Sequence, residues 1–280
     1  MQTVRDLASL RETIRGWRAA GESVALVPTM GALHAGHMAL VAEARRRADR
    51  TVASIFVNPK QFGANEDLSR YPRREASDAK ALREAGCDLM WAPPVEMVYP
   101  VGFSTNVSVA GVSAPLEGAA RAGHFDGVAT VVAKLFNQVS PDVAVFGEKD
   151  WQQLAVVRRM AADLDFGLEI IGVATQRDDD GLALSSRNAY LLPEDRTAAV
   201  ALPRALGEAA RAIGRGDDPA AALESAKAAL VAAGFDVDYL EHADAETLGP
   251  ARGDRPSRVL AAARIGTTRL IDNLAVDKHG

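Results

Sequence analysis

The sequence predicts an α/β fold in two parts: a parallel sheet with helices on both faces, then a smaller α+β domain with an antiparallel sheet. Three observations predict it. Short apolar runs alternate with segments at helical spacing through about the first 175 residues, the mark of buried parallel strands. Most of these runs end at Gly or Pro and lead into a helix. Beyond that point two Ala-rich helical patterns come first and three strand-like runs follow, a segregated order. The predicted domains are 1–175 and 176–280.

Leu7, Leu10, Ile14 and Trp17 give residues 7–20 a helical period, stopped by Gly21. Residues 23–27 form a short apolar run, read as a strand, and 28–36 read as a loop. From His37 the pattern Leu40, Val41, Ala44, Ala48 is helical again. Residues 51–57 read as a second buried strand, closed by Asn58-Pro59. A polar loop runs to Arg74, then a helix over 75–85, a strand over 87–91, a helix over 126–138 and a strand over 143–146. A helix over 151–164 and a strand over 168–173 complete the first part. The second part is read as helices over 194–213 and 219–232 and strands over 237–240, 257–263 and 268–273, with Gly266 in the last turn.

Composition narrows the function. Of 280 residues 48% are hydrophobic and 25% charged, within the globular range. The net charge of −5 and the scattered Arg and Lys argue against nucleic acid as a partner. The run Arg45-Arg46-Arg47 reads as a solvated helix face. No run approaches the roughly 18 apolar residues of a membrane span, and the early acid Asp6 argues against a signal peptide. The single cysteine, Cys87, fits a reducing cytoplasm.

Four segments carry candidate chemistry. The first is Met30-Gly31-Ala32-Leu33-His34-Ala35-Gly36-His37, between a strand and a helix. Ligands of open α/β sheets bind at the carboxyl ends of strands, and helix N-termini suit phosphate. Gly31 and Gly36 allow close backbone approach, and two imidazoles can donate to phosphate oxygens. Two surface histidines are the bland alternative. Zinc would need further ligands, and His124, His242 and His279 are the only other histidines. The second segment, Asn58-Pro59-Lys60-Gln61, follows the next strand and offers amides that suit a hydroxy acid. The third is Gly147-Glu148-Lys149-Asp150-Trp151-Gln152-Gln153, where Lys149 can hold phosphate and Asp150 can accept from ribose or cap a helix. The fourth is Asp178-Asp179-Asp180 followed by Leu184-Ser185-Ser186-Arg187. The latter can close over polyphosphate, while the acid triplet reads as an exposed turn ahead of a magnesium site.

The set as a whole resembles the pantoate–β-alanine ligase family, within the nucleotidylyltransferase-like superfamily. The resemblance spans essentially all 280 residues. It also draws on Tyr71-Pro72-Arg73 and Gly123-His124-Phe125-Asp126-Gly127-Val128. It implies a Rossmann-like domain with a small lid domain, ATP and magnesium, pantoate and β-alanine, a pantoyl adenylate intermediate and a homodimer. It implies ATP contacts at residues 30–37 and 147–150, at Gln176, and at Leu184, Ser185, Ser186 and Arg187. His34, His37, Lys149, Ser185, Ser186 and Arg187 would act on the phosphates, with His37 the family's assigned proton donor. Gln61, Gln153 and Asn58 would hold the substrates. Leu184 stands where Met is frequent, and Gln176 where an apolar residue beside adenine is frequent. A nucleotidyltransferase and a nucleotide-binding regulator are the competing classes.

Overall fold

The computed structural model describes residues 1–63 and 66–277. The chain runs β1 (Gln2–Val4), α1 (Leu7–Ala19), β2 (Val24–Thr29), α2 (Ala35–Arg47), β3 (Arg50–Ile55), α3 (Glu75–Glu84), β4 (Leu89–Trp91), α4 (Val95–Val98), α5 (Glu117–Ala120), α6 (His124–Val139), β5 (Val143–Gly147), α7 (Trp151–Asp163), β6 (Glu169–Val173), α8 (Pro193–Ala198), α9 (Ala201–Gly214), α10 (Pro219–Ala232), β7 (Asp236–Asp244), β8 (Ser257–Ile265) and β9 (Thr268–Ala275). Among the described residues β1 to β6 form one sheet in the order β1-β4-β3-β2-β5-β6. Each of its described pairings is parallel. The strands are apolar on both faces because both are covered. Val24 and Leu26 meet α1, α6 and α7, whereas Ala25 and Val27 meet α2 and α3.

The order reverses between β2 and β5, which pair directly. The chain leaves β2 to build one side of the sheet and returns at β5 to build the other. That switch point opens a crevice beyond the carboxyl ends of the two strands. The segments after β2 and β5 therefore face one another across it.

The antiparallel sheet β7-β8-β9 carries its own core with α9 and α10, beginning at Leu182. It is bolted to the turn after β5. Asn273 donates through Nδ2 to the carbonyls of Glu148 and Lys149, each at 2.9 Å. The Arg258 guanidinium lies 3.8 Å from the Trp151 ring centroid, and Trp151 donates to the Ala245 carbonyl at 2.8 Å.

Several expected bounds shift, each for a local reason. The helix expected from His37 starts at Ala35, because His34 itself caps it. The helix expected over 126–138 starts at His124, after Gly123 turns the chain at φ +78°. The single helix expected over 194–213 is broken between Ala198 and Ala201. Pro203 in mid-helix would lose a backbone bond and clash one turn back, so the chain restarts upstream and keeps it in the first turn. Strand β1 escaped the sequence reading because three residues carry no period.

Candidate active site

The turn after β2 is built from within. Gly31 at φ +84° and Ala32 at φ +51° bend the chain back. Asp78 of α3, 3% exposed, accepts from Ala32 N–H through Oδ2 and from Leu33 N–H through Oδ1, both at 2.9 Å. A Cβ at Gly31 would stand 3.0 Å from Asp78 Oδ2. One at Gly36 would stand 2.9 Å from the His34 ring. A side chain at either position would crowd the protein's own Asp78 or His34.

The two histidines form a reciprocal cap on α2. His34 Nδ1 accepts from Gly36 N–H at 3.2 Å, and His37 Nδ1 accepts from His34 N–H at 3.3 Å. Their ring centroids are 4.1 Å apart. A ring nitrogen that accepts carries no hydrogen, so in the neutral ring the hydrogen resides on Nε2. Burial, then His34 and Lys149, hold the His37 pKa down at about 3. Burial, then Lys149, also lower that of His34. Both rings are therefore neutral near pH 7, each with one Nε2–H left to donate.

These groups line a cleft with two connected chambers of about 640 and 230 Å³. Met30, His34, Gly36 and His37 face the smaller chamber with Gln61, Gly147, Gln176 and Leu184 to Ser186. Lys149, Asp150, Gln153 and Arg187 border both. Asp150 occupies the N-cap position of α7 but makes no capping bond there, so its carboxylate is not consumed by the helix. Ser185 caps the short turn Ser186–Tyr190 by accepting from Arg187 N–H at 3.2 Å. Ser186 Oγ lies 3.3 Å from the Tyr71 hydroxyl.

The remaining expected residues differ in placement. Gly31, Ala32, Leu33, Ala35 and Glu148 lie outside the lining of both chambers, and the Ala32 and Leu33 N–H groups are taken by Asp78. Asn58, 1% exposed, has its amide filled from within. Its Nδ2 donates to Gln61 Oε1 and the Gly127 carbonyl, and its Oδ1 accepts from Lys60 N–H and the Tyr99 hydroxyl. It orients Gln61, whose Nε2 reaches the Met30 sulfur at 3.2 Å. The neighbours Gln152 and Gln153 divide. Gln152 borders only the larger chamber and has its amide bonded to Val112, Pro115 and Glu117, whereas Gln153 borders both chambers.

The acid triplet is a turn. Arg196 pairs with Asp178 at 2.9 Å and Asp180 at 2.7 Å. Among the described residues no group of three His, Cys, Asp or Glu side chains could hold a metal, and His279 lies outside them. Among the described residues no helix is long and apolar enough to cross a membrane. Arg121 and Asp78 were missed by sequence reading, since neither stands in a motif with recognisable chemistry. Arg121 stands two residues before Gly123, its nearest signal.

Paired Nε2–H donors on a helix N-terminus, a lysine and an arginine across the cleft, and a sheet that reverses order between them define a nucleotide-binding α/β enzyme. The family model for pantoate-beta-alanine ligase matches residues 2–275, and the chain belongs to that family of ligases. It is 64% identical over 279 residues to the pantothenate synthetase of Rhizorhabdus wittichii, covering 99% of each chain. It is 59% identical over 278 residues to that of Caulobacter vibrioides, covering 98% of each. A pantothenate synthetase structure from Thermus thermophilus superposes with TM-score 0.92 at 52% identity, over 99% of this chain and 100% of that one. The pantoate-beta-alanine ligase of Francisella tularensis, complexed with beta-gamma ATP and beta-alanine, gives 0.84 at 31% identity, over 98% and 97%.

Proposed function

We propose that this ligase joins pantoate to β-alanine through an enzyme-bound pantoyl adenylate. A pantoate carboxylate oxygen attacks the α-phosphorus of ATP, and the bond to the bridging oxygen breaks, releasing pyrophosphate. The β-alanine amine then attacks the acyl carbon, and the acyl–oxygen bond breaks. AMP departs and the amine loses a proton. The observation that carries this reading is the reciprocal cap, which leaves His34 and His37 each one Nε2–H beside Lys149.

Donors held in place stabilise charge that develops in a transition state without reorganising. His34, His37 and Lys149 serve the phosphates, and Ser185, Ser186 and Arg187 close on them from the other wall. With its pKa at about 3, His37 acts by hydrogen-bond donation; phosphate charge beside it raises that value. Gln61 and Gln153 hold pantoate, and Gly147 and Asp150 face the ribose. The Leu184 N–H is committed to the Gln176 carbonyl at 2.9 Å and the Gln176 amide donates to the Ala174 carbonyl at 3.0 Å, so this bonded pair forms the adenine wall. Magnesium would accompany ATP and offset phosphate charge, and the described residues offer no cluster of side chains to hold it by themselves. The reading extends to a cytoplasmic homodimer, whose assembly sedimentation checks.

The test is exchange of labelled pyrophosphate into ATP. The exchange requires pantoate and does not require β-alanine. Absence of exchange at saturating pantoate rejects the adenylate, and retention of the nucleotide in the final product would favour a nucleotidyltransferase.

A further inference from the structure

The motif Gly123-His124-Phe125-Asp126-Gly127-Val128 carries no role in the chemistry above, yet it packs directly under Gln61. His124 Nδ1 lies 2.9 Å from the Gln61 carbonyl oxygen. Asn58 Nδ2 ties the Gly127 carbonyl at 3.0 Å to Gln61 Oε1 at 2.9 Å. A Cβ at Gly127 would fall 2.3 Å from the Lys60 carbonyl oxygen and 2.7 Å from Gln61 Cα, so the helix can lie against the turn only where a side chain is missing.

The partners of His124 fix its tautomer. A carbonyl only accepts, so Nδ1 bears the hydrogen. Arg121 Nη1, 3.1 Å from Nε2, only donates, so Nε2 is bare. The neutral ring agrees with its surroundings, since burial and then Arg121 push its pKa down to about 4. Arg121 is itself held by Glu66 at 2.7 and 2.6 Å, with Glu117 at 3.5 Å, and its Nη2 reaches the same Gln61 carbonyl at 3.4 Å.

We propose that His124 and Gly127 are positioning residues for the acid subsite: they fix the Asn58–Gln61 turn so that the Gln61 amide meets pantoate in one orientation. The inference rests on the assignment of Gln61 to pantoate. It gives the motif a physical purpose that core packing alone leaves unexplained, because His124 spends both ring nitrogens on the turn and its brace.

The test is steady-state kinetics on the full-length enzyme with His124→Ala, His124→Asn, Gln61→Ala and the double variant H124A/Q61A. Losing one aligned hydrogen bond raises the pantoate KM about tenfold in H124A, with the ATP KM within about twofold. Asn presents an amide N–H where Nδ1–H stood, so H124N recovers most of the loss. In the Q61A background H124A adds less than about twofold, because the effect passes through Gln61. An unmoved pantoate KM in H124A, an equal rise for ATP, H124N no better than H124A, or additive effects overturn the proposal. Should H124A fail to fold, His124→Gln replaces it. Its amide sits at the Nε2 position and cannot reach the Gln61 carbonyl, so H124Q raises the pantoate KM and H124N does not. If Q61A itself leaves the pantoate KM unmoved, the Gln61 assignment fails; if Q61A raises it and H124A does not, the positioning role alone fails.

Discussion

Asp78→Asn tests how the phosphate turn is held. The two carboxylate oxygens accept separately from Ala32 and Leu33 N–H, both at 2.9 Å, from a residue 3% exposed. Asn keeps the shape but has one accepting oxygen, so one backbone N–H then faces an amide N–H. The lost bond is charge-assisted, worth about 1.5–3 kcal/mol, and the stranded donor adds a penalty of similar size. Partial relaxation of the turn brings the expected cost to about 3 kcal/mol. With a urea slope of about 3 kcal/mol/M, the unfolding midpoint falls by about 1 M. Because the same turn sets His34, the ATP KM rises as well. A midpoint within about 0.2 M of wild type, together with an unchanged ATP KM, would refute the claim that Asp78 holds this turn.

His37→Ala lowers pyrophosphate exchange about 10²–10³-fold, the usual scale for one preorganised donor, while circular dichroism retains the native spectrum. An exchange rate within about threefold of wild type would reject its role. Arg269→Ala removes the two-pronged partner of Glu117, which is 6% exposed and accepts from Arg269 at 2.6 and 2.8 Å, and leaves it Tyr239 at 3.0 Å and the longer Arg121 pair at 3.5 Å. Breaking such a buried pair costs about 3–5 kcal/mol, read as a lowered urea midpoint, whereas the exposed pair Arg215–Asp217 should cost under about 1 kcal/mol when cut. The pH dependence of stability follows from the depressed values of His37, about 3, and His124, about 4. Below about 6.5 the unfolded chain binds protons that the folded chain refuses, so stability falls as pH drops from about 6.5 towards 5. For the half-buried Glu66 and the buried Glu117 burial acts to raise the pKa, but arginine partners outweigh it and hold both low, so they lose their contribution only at lower pH. A urea midpoint flat from pH 7 to 5 would contradict the buried neutral histidines.

Much of the architecture was legible in the sequence because parallel strands covered on both faces leave unbroken apolar runs. Residues 24–27 and 143–146 of β2 and β5 are of this kind. The candidate site was legible as three segments at strand ends and a fourth near the boundary between the two parts. Its inner workings were not. Asp78 sits 45 residues beyond Leu33 and Arg121 60 beyond Gln61, and nothing local marks a carboxylate that will meet a distant backbone. Asn58 and Gln61 look alike as amides in a loop. Both border the smaller chamber, and only the folded hydrogen bonding shows that the Asn58 amide is filled by the protein.

The sequence by itself determined the order of the longer elements, the strand-end position of His34-Ala35-Gly36-His37 and the family, because these depend on local period and on residue type at fixed spacing. The tertiary structure decided which nitrogen of each histidine carries its hydrogen, through backbone N–H groups that cap α2 and point at Nδ1. It also decided that Gly31, Gly36 and Gly127 serve internal packing, and that the small sheet grips the Glu148–Lys149 turn through Asn273. These are distances between groups far apart in the chain, set by how the sheet reverses its order, and no local pattern encodes them.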